Sequence, residues 1–375
     1  MIAVDVSSFF ASGGGGGIRA YYEAKARWLA ELGVECHFVV PGRRTAVERW
    51  GGGWLHRVAG PPLASGYRAF GDLGELRRVI REIGPDVVEL ASHYVLPQLV
   101  APACPGAAVV GFYHSDFPNA YVHPATQRLP ASVGRAATAA AWWLVQRQHR
   151  GYRATLTGSH SVAARLVAAQ VPNVRWVGLG VDPALCATPL EAVRHGRVGY
   201  LGRLASDKEI ALVLAAAPAI AQSGVRIAIA GSGPFDAEVR AAARRGLVDA
   251  LGPIGRGDVP AFLRSVDALI VPGRYETFSL ATAEALAIGT PVIAARRGGS
   301  GELVTRSGGG ATFAPGNAAA LAEAVRAVLA LRPAEFAALR ARGRGFISAI
   351  YTWPRVMARI RAVHRIAVRE QRCSS

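Results

Sequence analysis

Cysteine is scarce in this chain of 375 residues: there are four, far apart and without a CxxC pair. This spacing fits neither a disulfide framework nor a zinc site, and it suits a reducing compartment. We therefore expect a cytoplasmic protein without structural disulfides or zinc. The four residues are Cys36, Cys104, Cys186 and Cys373.

Long hydrophobic runs are also lacking. The longest apolar segments are too short to cross a bilayer and are interrupted by proline or glycine, as by Pro218 within residues 211–221. The chain starts with MIAVDVSSFF, which predicts a strand and has no basic stretch ahead of an apolar one, so we expect no signal peptide. These features predict a protein that is soluble or bound peripherally at the inner face of a membrane.

Lysine is nearly absent: Lys25 and Lys208 are the only two among 43 basic residues, and the formal net charge is +17. Residues 331–375 hold ten arginines and two glutamates, so the excess is concentrated there. Basic residues interleaved with aromatic ones, or a known nucleic-acid module, are not found, so we expect no nucleic acid partner. An anionic membrane surface or an acidic substrate fits the charge better, and a general arginine bias is the alternative.

Short β-type runs alternate with longer alanine-rich helical patterns along the chain. The first half has runs such as IAVDV and AAVVGFY, and the second half has RVGYLG and DALIVPG. Such alternation predicts parallel sheets built from right-handed βαβ units. Together with the length, it predicts an α/β protein with two Rossmann-like domains that face a central cleft.

The domain boundaries follow from the positions of these patterns. We place an N-terminal domain at residues 1–185, a C-terminal domain at 186–350 and a basic helix at 351–375. In that last helix, apolar residues recur between the arginines. We expect its apolar side to pack back across the domains, and attachment to an anionic membrane is the alternative.

Five consecutive glycines, residues 13–17, stand between the first predicted strand and a helix. Glycine lets a ligand approach the main chain closely, and the N-terminus of a helix attracts anions. Gly16 and Gly17 are therefore candidate binding residues. No GK[ST] follows them, and the alternative is a connecting loop without a ligand.

Two cations follow a predicted strand of the second half, in the segment YLGRLASDKEI. Arg203 and Lys208 come after the carboxyl end of that strand, where open α/β sheets bind their ligands. At this spacing both cations are able to converge on one diphosphate. The alternative is two solvated charges that pair with Asp207 and Glu209.

The most specific segment is ETFSLATAEALAIGTP, residues 276–291. Glu276 lies in a loop after a predicted strand, and Glu284 lies on the helix that follows. Carboxylates in these places suit the hydroxyl groups of a sugar or a ribose, and the N–H groups of residues 277–280 suit a phosphate. The alternative is a surface role for Glu276 and a solvated helix position for Glu284.

His114 and Asp116 follow the predicted strand AAVVGFY. A single histidine more often has a structural role than a catalytic one. Its position at the carboxyl end of a strand nevertheless favours a site, because ligands of open α/β sheets bind there.

Taken in order, these segments resemble those of the family 4 glycosyltransferases, which are retaining enzymes with the GT-B fold. The resemblance covers nearly the whole chain, from the glycine-rich loop to GGSGELV at residues 298–304. Between these ends lie TLTGSHSVAARL, GLGVD, YLGRLASDK, IAGSGP and the Glu276/Glu284 pair.

The resemblance implies a hexosyltransferase for glycan or glycolipid biosynthesis in bacteria. Its donor would be a nucleoside-diphosphate sugar, GDP-mannose or a UDP-hexose, and its acceptor a hydroxyl of a lipid-linked molecule or a glycan. No Asp/His cluster has convincing metal-ligand spacing, so we expect no metal and no other cofactor. The alternatives are a nucleotide-sugar epimerase or hydrolase on the same fold, and a non-catalytic nucleotide-sugar-binding protein.

The family's pattern also implies a role for each matching residue. Arg203 and Lys208 would hold the diphosphate, and Glu276 would bind the transferred sugar. Glu284 would hold the ribose, and His114 would orient the reacting groups. The implied catalytic set is His114, Arg203, Lys208 and Glu276; the donor set is Gly16, Gly17, Arg203, Lys208, Gly231, Pro253, Ile254, Glu276, Thr277, Phe278, Ser279, Leu280 and Glu284; the acceptor set is Gly16, Asp116 and Tyr121.

Three features depart from the family's usual pattern or distinguish members within it. Thr277 and Ser279 stand where glycine is common, which predicts a tighter sugar pocket. Glu209 stands where a glycine usually follows the lysine, which puts the local turn in question. The segment from HSDF to Trp142 and Trp143 is similar to that of members that glycosylate lipid headgroups.

Overall fold

The computed structural model describes residues 1–8, 10, 16–63, 67–91, 97–127, 129–187, 189–190 and 194–374. The chain folds into two compact units. The N-terminal unit comprises Met1–Gly178 with Trp353–Ser375, and the C-terminal unit comprises Leu179–Thr352. The boundary between the units lies between residues 178 and 179, seven residues before the boundary at 185/186 that the sequence patterns predict.

The N-terminal unit is built on an eight-stranded sheet, in which only the edge pair β3 and β4 runs antiparallel. Its strands are β1 (Ile2–Val6), β2 (Glu35–Gly42), β3 (Ala46–Trp50), β4 (Gly53–Ala59), β5 (Val87–Leu90), β6 (Ala108–Tyr113), β7 (Ala154–Thr157) and β8 (Val174–Trp176). Their order in the sheet is β3-β4-β2-β1-β5-β6-β7-β8, with β1 in the interior. Strands β1, β5 and β6 are almost entirely buried, as is typical of parallel strands covered by helices on both faces.

The helices of this unit connect the strands. They are α1 (Gly17–Ala24), which continues as a π-helical segment Lys25–Leu29 and a 3₁₀ turn Ala30–Leu32, α2 (Leu73–Ile83), α3 (Pro97–Val100), α4 (His123–Ala125), α5 (Ala131–His149), α6 (His160–Ala168) and, from the C-terminus, α15 (Trp353–Ser374). Shorter turns span Ala101–Ala103 and Pro118–Val122. Local signals set the ends of α2, because Asp72 accepts a hydrogen bond from Gly74 N at its start and Gly84 is left-handed at its end.

The C-terminal unit contains a six-stranded, fully parallel sheet. Its strands are β9 (Arg197–Leu201), β10 (Arg226–Ala230), β11 (Asp249–Gly252), β12 (Ala268–Val271), β13 (Val292–Ala295) and β14 (Gly310–Phe313). They take the order β11-β10-β9-β12-β13-β14, so the chain direction across the sheet reverses between β9 and β12. Ligands of open parallel sheets bind outside the carboxyl ends of the strands at such a reversal.

Eight helices with assigned bounds connect the described strands of this unit. They are α7 (Pro183–Ala187), α8 (Ile210–Ala221), α9 (Asp236–Arg244), α10 (Val259–Arg264), α11 (Leu280–Ile288), α12 (Gly298–Ser307), α13 (Ala318–Leu329) and α14 (Pro333–Ile350), with 3₁₀ turns at Ser206–Lys208 and Arg256–Asp258. Helix α11 is apolar nearly all round and is largely buried, and it ends at the left-handed Gly289 that the sequence predicts as its stop.

The basic C-terminal helix α15 packs within the N-terminal unit. Val356, Met357 and Ile360 are fully buried, and the helix contacts β5, β6 and the segment Lys25–Leu29. The apolar side that the sequence shows between the arginines is therefore used for packing.

Two α/β units with predominantly parallel sheets confirm the predicted fold class. The four apolar runs named above, IAVDV, AAVVGFY, RVGYLG and DALIVPG, form β1, β6, β9 and β12. In the described part of the chain, no helix combines the length and hydropathy that a membrane span requires.

Candidate functional site

In the C-terminal unit, the loop after β9 carries two of the predicted catalytic cations. It runs from Gly202 through the 3₁₀ turn Ser206–Lys208 to Glu209, where α8 begins. The Arg203 side chain is exposed and that of Lys208 is partly exposed. The structure thus places both cations at the carboxyl end of β9, as the sequence predicts.

Lys208 meets Glu276, which lies in the loop after β12. The Nζ atom of Lys208 is 2.6 Å from Oε1 of Glu276, whose side chain is only 15% exposed. Burial alone would lower the pKa of Lys208, but the charge of Glu276, with a smaller contribution from Asp207, raises it above its ordinary value. The pairing with Glu276 thus favours the charged form of Lys208.

Arg203 pairs with Asp207. Its Nη2 atom lies 2.7 Å from Oδ2 of Asp207, and its charge acts against the protonation of Lys208. The sequence analysis named this pairing as its alternative for Arg203. An exposed pair of this type contributes little to stability, so the guanidinium can exchange Asp207 for another anion at small cost.

Glu209 forms a second connection between the same two loops. Its carboxylate accepts hydrogen bonds from Arg274 Nε at 2.7 Å and from the Arg274 backbone N–H at 2.9 Å. Glu209 adopts the left-handed conformation, with φ of 52°, at the position where the family usually has glycine. Lys208–Glu276 and Glu209–Arg274 therefore tie the loop after β9 to the loop after β12 side by side.

Residues 277–280 follow Glu276 and lead into α11. Phe278 is buried against Tyr351, with 5.3 Å between ring centroids, so its backbone rather than its ring can face a ligand. Ser279 has φ of 75°, and its Oγ atom accepts a hydrogen bond from Thr282 N, which caps the helix. Thr277 and Leu280 are partly exposed on either side.

Two glycines of α12 support this loop from behind. Gly299 N donates to the Glu276 carbonyl at 2.6 Å, and a Cβ atom on Gly299 would lie 2.5 Å from the Cα atom of Phe278. A Cβ atom on Gly298 would lie 2.9 Å from the Glu276 carbonyl oxygen. No side chain larger than hydrogen fits at either glycine unless the loop moves.

Gly231 has a similar packing role after β10. A Cβ atom there would lie 1.9 Å from the carbonyl oxygen of Gly202. The loop after β10 therefore passes close to the loop that carries Arg203. This close approach gives a structural reason for a glycine that the sequence analysis assigned to donor binding.

Glu284 lies on α11 and is largely buried. Burial raises the pKa of its carboxyl group, and Arg256, 3.7 Å away, opposes that rise. The two predicted neighbours of the nucleobase, Pro253 and Ile254, follow β11; the first is exposed and the second is partly exposed. Arg256 belongs to the same loop, and the sequence analysis did not single it out.

In the N-terminal unit, Gly16 and Gly17 lie at the start of α1 and are exposed. Gly16 is extended, with φ of −139°, and a Cβ atom on either residue would meet no atom of the described residues within 4 Å. Their own conformation and packing therefore do not require glycine. The other glycines of the run, residues 13–15, lie outside the described residues.

His114 follows β6 and is held between aromatic rings. Its ring stacks on Phe112 at 3.9 Å between centroids and meets Tyr21 edge-on at 5.1 Å. Asp116 is buried and engaged: it pairs with Arg165 at 3.1 Å and accepts hydrogen bonds from Asn119. Its carboxylate helps to order the turn that follows, and the acceptor role that the resemblance implies stays a prediction.

Tyr121, the remaining residue of the predicted acceptor set, is 46% exposed and lies 6.4 Å from Phe117 between ring centroids. It is thus accessible to a partner. No group of three or more metal-ligating side chains is present among the described residues.

Two family models match this chain. The model described as Glycosyltransferase Family 4 matches residues 15–185, and the one described as Glycosyl transferases group 1 matches residues 195–330. The chain belongs to the family 4 glycosyltransferases.

This glycosyltransferase has a full-length relative in Mycobacterium tuberculosis, named GDP-mannose-dependent alpha-(1-6)-phosphatidylinositol dimannoside mannosyltransferase. The two are 29% identical over 398 aligned positions, which cover 100% of this chain and 98% of the relative. Among solved structures, sucrose-phosphate synthase from Thermosynechococcus elongatus superposes with a TM-score of 0.76 at 19% identity, covering all of both chains. Anabaena HepE in complex with UDP-glucose superposes with a TM-score of 0.70 at 17% identity, again over both full chains. These structures support the GT-B fold.

The glycosyltransferase also contains a buried ionic cluster that the sequence analysis missed. Lys25 Nζ lies 2.6 Å from Asp5 and 2.9 Å from Glu89, all three side chains being fully buried. Glu89 further accepts hydrogen bonds from Tyr21 at 2.8 Å and from His364 Nε2 at 3.0 Å. The only available signal was the rarity of lysine, which singled out Lys25 without indicating its partners.

Proposed function

We propose that this glycosyltransferase transfers a mannosyl group from GDP-mannose to a hydroxyl group of a lipid-linked acceptor, with retention of configuration. The observation that carries the proposal is the Lys208–Glu276 pair. A partly exposed cation and carboxylate lie 2.6 Å apart at the carboxyl ends of β9 and β12, where the strand order reverses. This combination suits a ligand that carries both phosphate and sugar hydroxyls.

In the proposed complex, Lys208 and Arg203 bind the diphosphate. Both are cations on the same loop, and both are paired with carboxylates that an incoming phosphate can replace. The transition state leaves positive charge on the sugar and increases negative charge on the departing diphosphate. Cations positioned for the leaving group stabilise that charge more than they stabilise the ground state.

Glu276 then receives hydroxyl groups of the transferred sugar, and Glu284 receives the ribose. Both carboxylates are largely buried, so hydrogen bonds to them are made away from bulk water. The backbone N–H groups at the start of α11 face the donor phosphate, because the free N–H groups of a helix N-terminus attract anions. Ser279 already uses its side chain to cap the helix.

The proposed reaction needs no side chain of the protein as a base. The bond between the sugar anomeric carbon and the diphosphate oxygen breaks, and a bond from that carbon to the acceptor oxygen forms on the same face. The acceptor proton passes to the departing phosphate oxygen. In this scheme His114, held between Phe112 and Tyr21, orients the reacting sugar and contributes electrostatically.

The choice of donor and acceptor rests on relatives. The full-length mycobacterial relative is named for GDP-mannose and for a phosphatidylinositol dimannoside acceptor. A second relative, 32% identical over 61% of this chain, is named GDP-mannose-dependent alpha-mannosyltransferase. We extend GDP-mannose and a lipid-linked hydroxyl acceptor to this chain on that basis.

We also propose that transfer requires no metal ion. Lys208, Arg203 and the start of α11 supply the positive charge that a metal would otherwise bring to the diphosphate. Transfer rates measured in excess EDTA and after added Mg²⁺ or Mn²⁺ test this point. Equal rates are expected, and loss of transfer in EDTA that Mg²⁺ or Mn²⁺ restores would contradict the proposal.

The deciding experiment compares GDP-mannose with UDP-glucose as radiolabelled donors, with and without phosphatidylinositol mannosides in detergent micelles. We expect label to enter the lipid fraction from GDP-mannose only, and a thermal shift with GDP but not with UDP. Consumption of donor without acceptor would indicate the epimerase or hydrolase alternative. Binding of GDP-mannose without turnover in any acceptor series would indicate a binding protein.

A further inference from the structure

One part of the N-terminal unit has an unusual charge distribution. From Phe117 to Val181 the sequence contains seven arginines and no aspartate or glutamate. Helix α5 lies within this segment and contributes Arg135 and Arg147, and Arg150 follows as its C-cap; all three are exposed. The segment itself therefore contributes arginines but no acidic side chain to the surface, although Asp116, just before it, pairs with Arg165.

The same helix exposes large apolar side chains. Trp143 is 56% exposed, Leu144 54% and Val133 46%. Val133 precedes the other two by ten and eleven residues, or three helical turns, so the three lie on one side of α5. The opposite side, with Ala141 and Val145, is buried.

Four exposed residues of α5 and its C-cap form one amphipathic patch, which we define as Val133, Trp143, Leu144, Arg147 and Arg150. The Arg147 guanidinium lies 5.6 Å from the centre of the Trp143 ring, so cationic and aromatic groups are intermixed. The turn Pro118–Val122, which carries exposed Tyr121, packs beside α5 and extends the patch.

Helix α15, the other arginine-rich element, does not offer such a surface. Its apolar residues Val356, Ile360 and Val368 are buried in the N-terminal unit. Its exposed side has only one large apolar residue, Ile366, among the charged residues Arg355, Arg365, Arg369, Glu370 and Arg372. A helix binds a bilayer through an apolar side in addition to its charges, and α15 has already used most of its apolar side.

We propose that the patch on α5 binds the surface of an anionic lipid bilayer. Tryptophan and leucine enter the boundary between headgroups and acyl chains, while arginines keep their charge at the level of the lipid phosphates. Charge complementarity favours lipid as the binding partner, because a segment with seven arginines and no acidic residue matches a uniformly anionic surface. Binding of the patch to a bilayer does not depend on the proposed sugar transfer.

The test is co-flotation of the full chain with vesicles of phosphatidylcholine, with or without phosphatidylglycerol, and without donor or acceptor. We expect binding only to the anionic vesicles. The double variant Trp143→Ser with Leu144→Ser should bind roughly tenfold more weakly, because it removes apolar area that the bilayer would bury. Val167→Ser, at a 61% exposed apolar position on α6, is the matched control and should bind normally.

The charges are tested separately. Arg147→Gln with Arg150→Gln should also weaken binding roughly tenfold and should reduce its dependence on salt concentration. The corresponding α15 variant, Arg365→Gln with Arg369→Gln, serves as the control for arginine loss in general. Circular dichroism and thermal melting of every variant show whether the fold is retained.

Three outcomes would overturn the proposal. The first is binding to anionic vesicles that the α5 variants leave unchanged, and the second is loss of binding in the α15 variant alone. The third is absence of vesicle binding together with a self-associated native chain that Trp143→Ser converts to a monomer, which would make the patch a contact between copies. Sugar transfer to a detergent-dispersed acceptor should be unaffected by the α5 variants, so this result is separable from that of the activity assay.

Discussion

The ammonium group of Lys208 and the carboxylate of Glu276 lie 2.6 Å apart, although 68 positions separate them in the chain. Strands β9 and β12 are neighbours in the sheet, and both residues belong to loops at the carboxyl ends of these strands. The proposed donor site therefore depends on one strand pairing.

Removing either member of this pair should abolish most transfer. For Lys208→Ala and Glu276→Ala we expect a fall in kcat/KM of roughly 10²–10³-fold, the usual loss when one group that stabilises a transition state is removed. Steady-state kinetics with the donor and acceptor that label the lipid fraction measure this effect.

A matched control is available in the same unit. Arg226 pairs with Asp249 at an exposed position on β10 and β11, and Arg226→Ala should leave both transfer and circular dichroism unchanged. Near-normal turnover in Lys208→Ala and Glu276→Ala, with folding intact, would show that the site is assigned to the wrong residues.

The neighbouring pair, Glu209 and Arg274, should be coupled in stability. Both side chains are partly buried, and Glu209 accepts hydrogen bonds from both the side chain and the backbone of Arg274. In a double-mutant cycle of Glu209→Gln and Arg274→Gln, we expect a coupling free energy on the order of 1–3 kcal/mol in urea unfolding.

The exposed pair Arg226–Asp249 again provides the comparison, and its coupling should be below about 1 kcal/mol. Equal coupling in the two cycles would argue that Glu209 does not tie the loops together. Because the loops carry Lys208 and Glu276, we also expect Glu209→Gln to raise the KM for donor more than it lowers kcat.

The buried histidine of α15 should make the protein less stable in mild acid. Burial, opposed in part by Glu89, lowers the pKa of His364 below its ordinary value of 6.5. When the pH falls below 6.5, His364 becomes protonated in the unfolded chain but stays neutral in the folded protein. The free energy of unfolding therefore decreases, by at most about 1.4 kcal/mol per pH unit.

Urea unfolding at several pH values between 5 and 8 in His364→Gln tests this expectation. Burial also lowers the pKa values of His37 and His56, the latter to about 4, and both contribute in the same direction. The test therefore compares the slope of unfolding free energy against pH in the variant with that in the unmodified protein. The variant should have the shallower slope. An unchanged slope would mean that His364 is protonated in the folded protein, where it would pair with Glu89 as a cation.

Gly299 should not tolerate a methyl group. A Cβ atom at this position would lie 2.5 Å from Phe278 Cα and 2.7 Å from the Thr277 carbonyl oxygen, and both are backbone atoms. We expect Gly299→Ala to destabilise the protein by about 3 kcal/mol, or to displace the loop and weaken donor binding.

Gly345 on α14 is the contrasting position, exposed and with no atom near its added Cβ atom. Gly345→Ala should raise the free energy of unfolding by about 0.5–1 kcal/mol, because alanine favours a helix over glycine. Thermal melting of both variants measures these changes in stability. A neutral Gly299→Ala would mean that α12 does not hold the loop in place.

Much of the fold was predictable because apolar runs record burial locally. The strand IAVDV and the helix from Leu280 to the left-handed Gly289 are cases in which pattern and structure agree. Strand β3 gave no such signal: Ala46–Trp50 has mostly exposed side chains and pairs at the sheet edge, so its sequence does not resemble a buried strand.

The candidate site was predictable in its residue types but less so in its pairings. The sequence identifies Lys208 and Glu276 as candidates and leaves Glu209 as a question about a turn. The structure answers that question with the Glu209–Arg274 pair, which supports the left-handed turn. Asp116, chosen for its position after β6, proves to be engaged with Arg165 and Asn119.

The buried cluster shows where sequence reasoning ends. The alternating pattern of the chain by itself determined two α/β sheets and the segments at their carboxyl ends, because burial and turn preferences are properties of short stretches. Only the tertiary structure placed β1 beside β5, with Asp5 in register with Glu89, and set Lys25 against both carboxylates and His364 against Glu89. Strand order and helix docking decide which distant charges meet, and buried charges are stable only when they meet a partner.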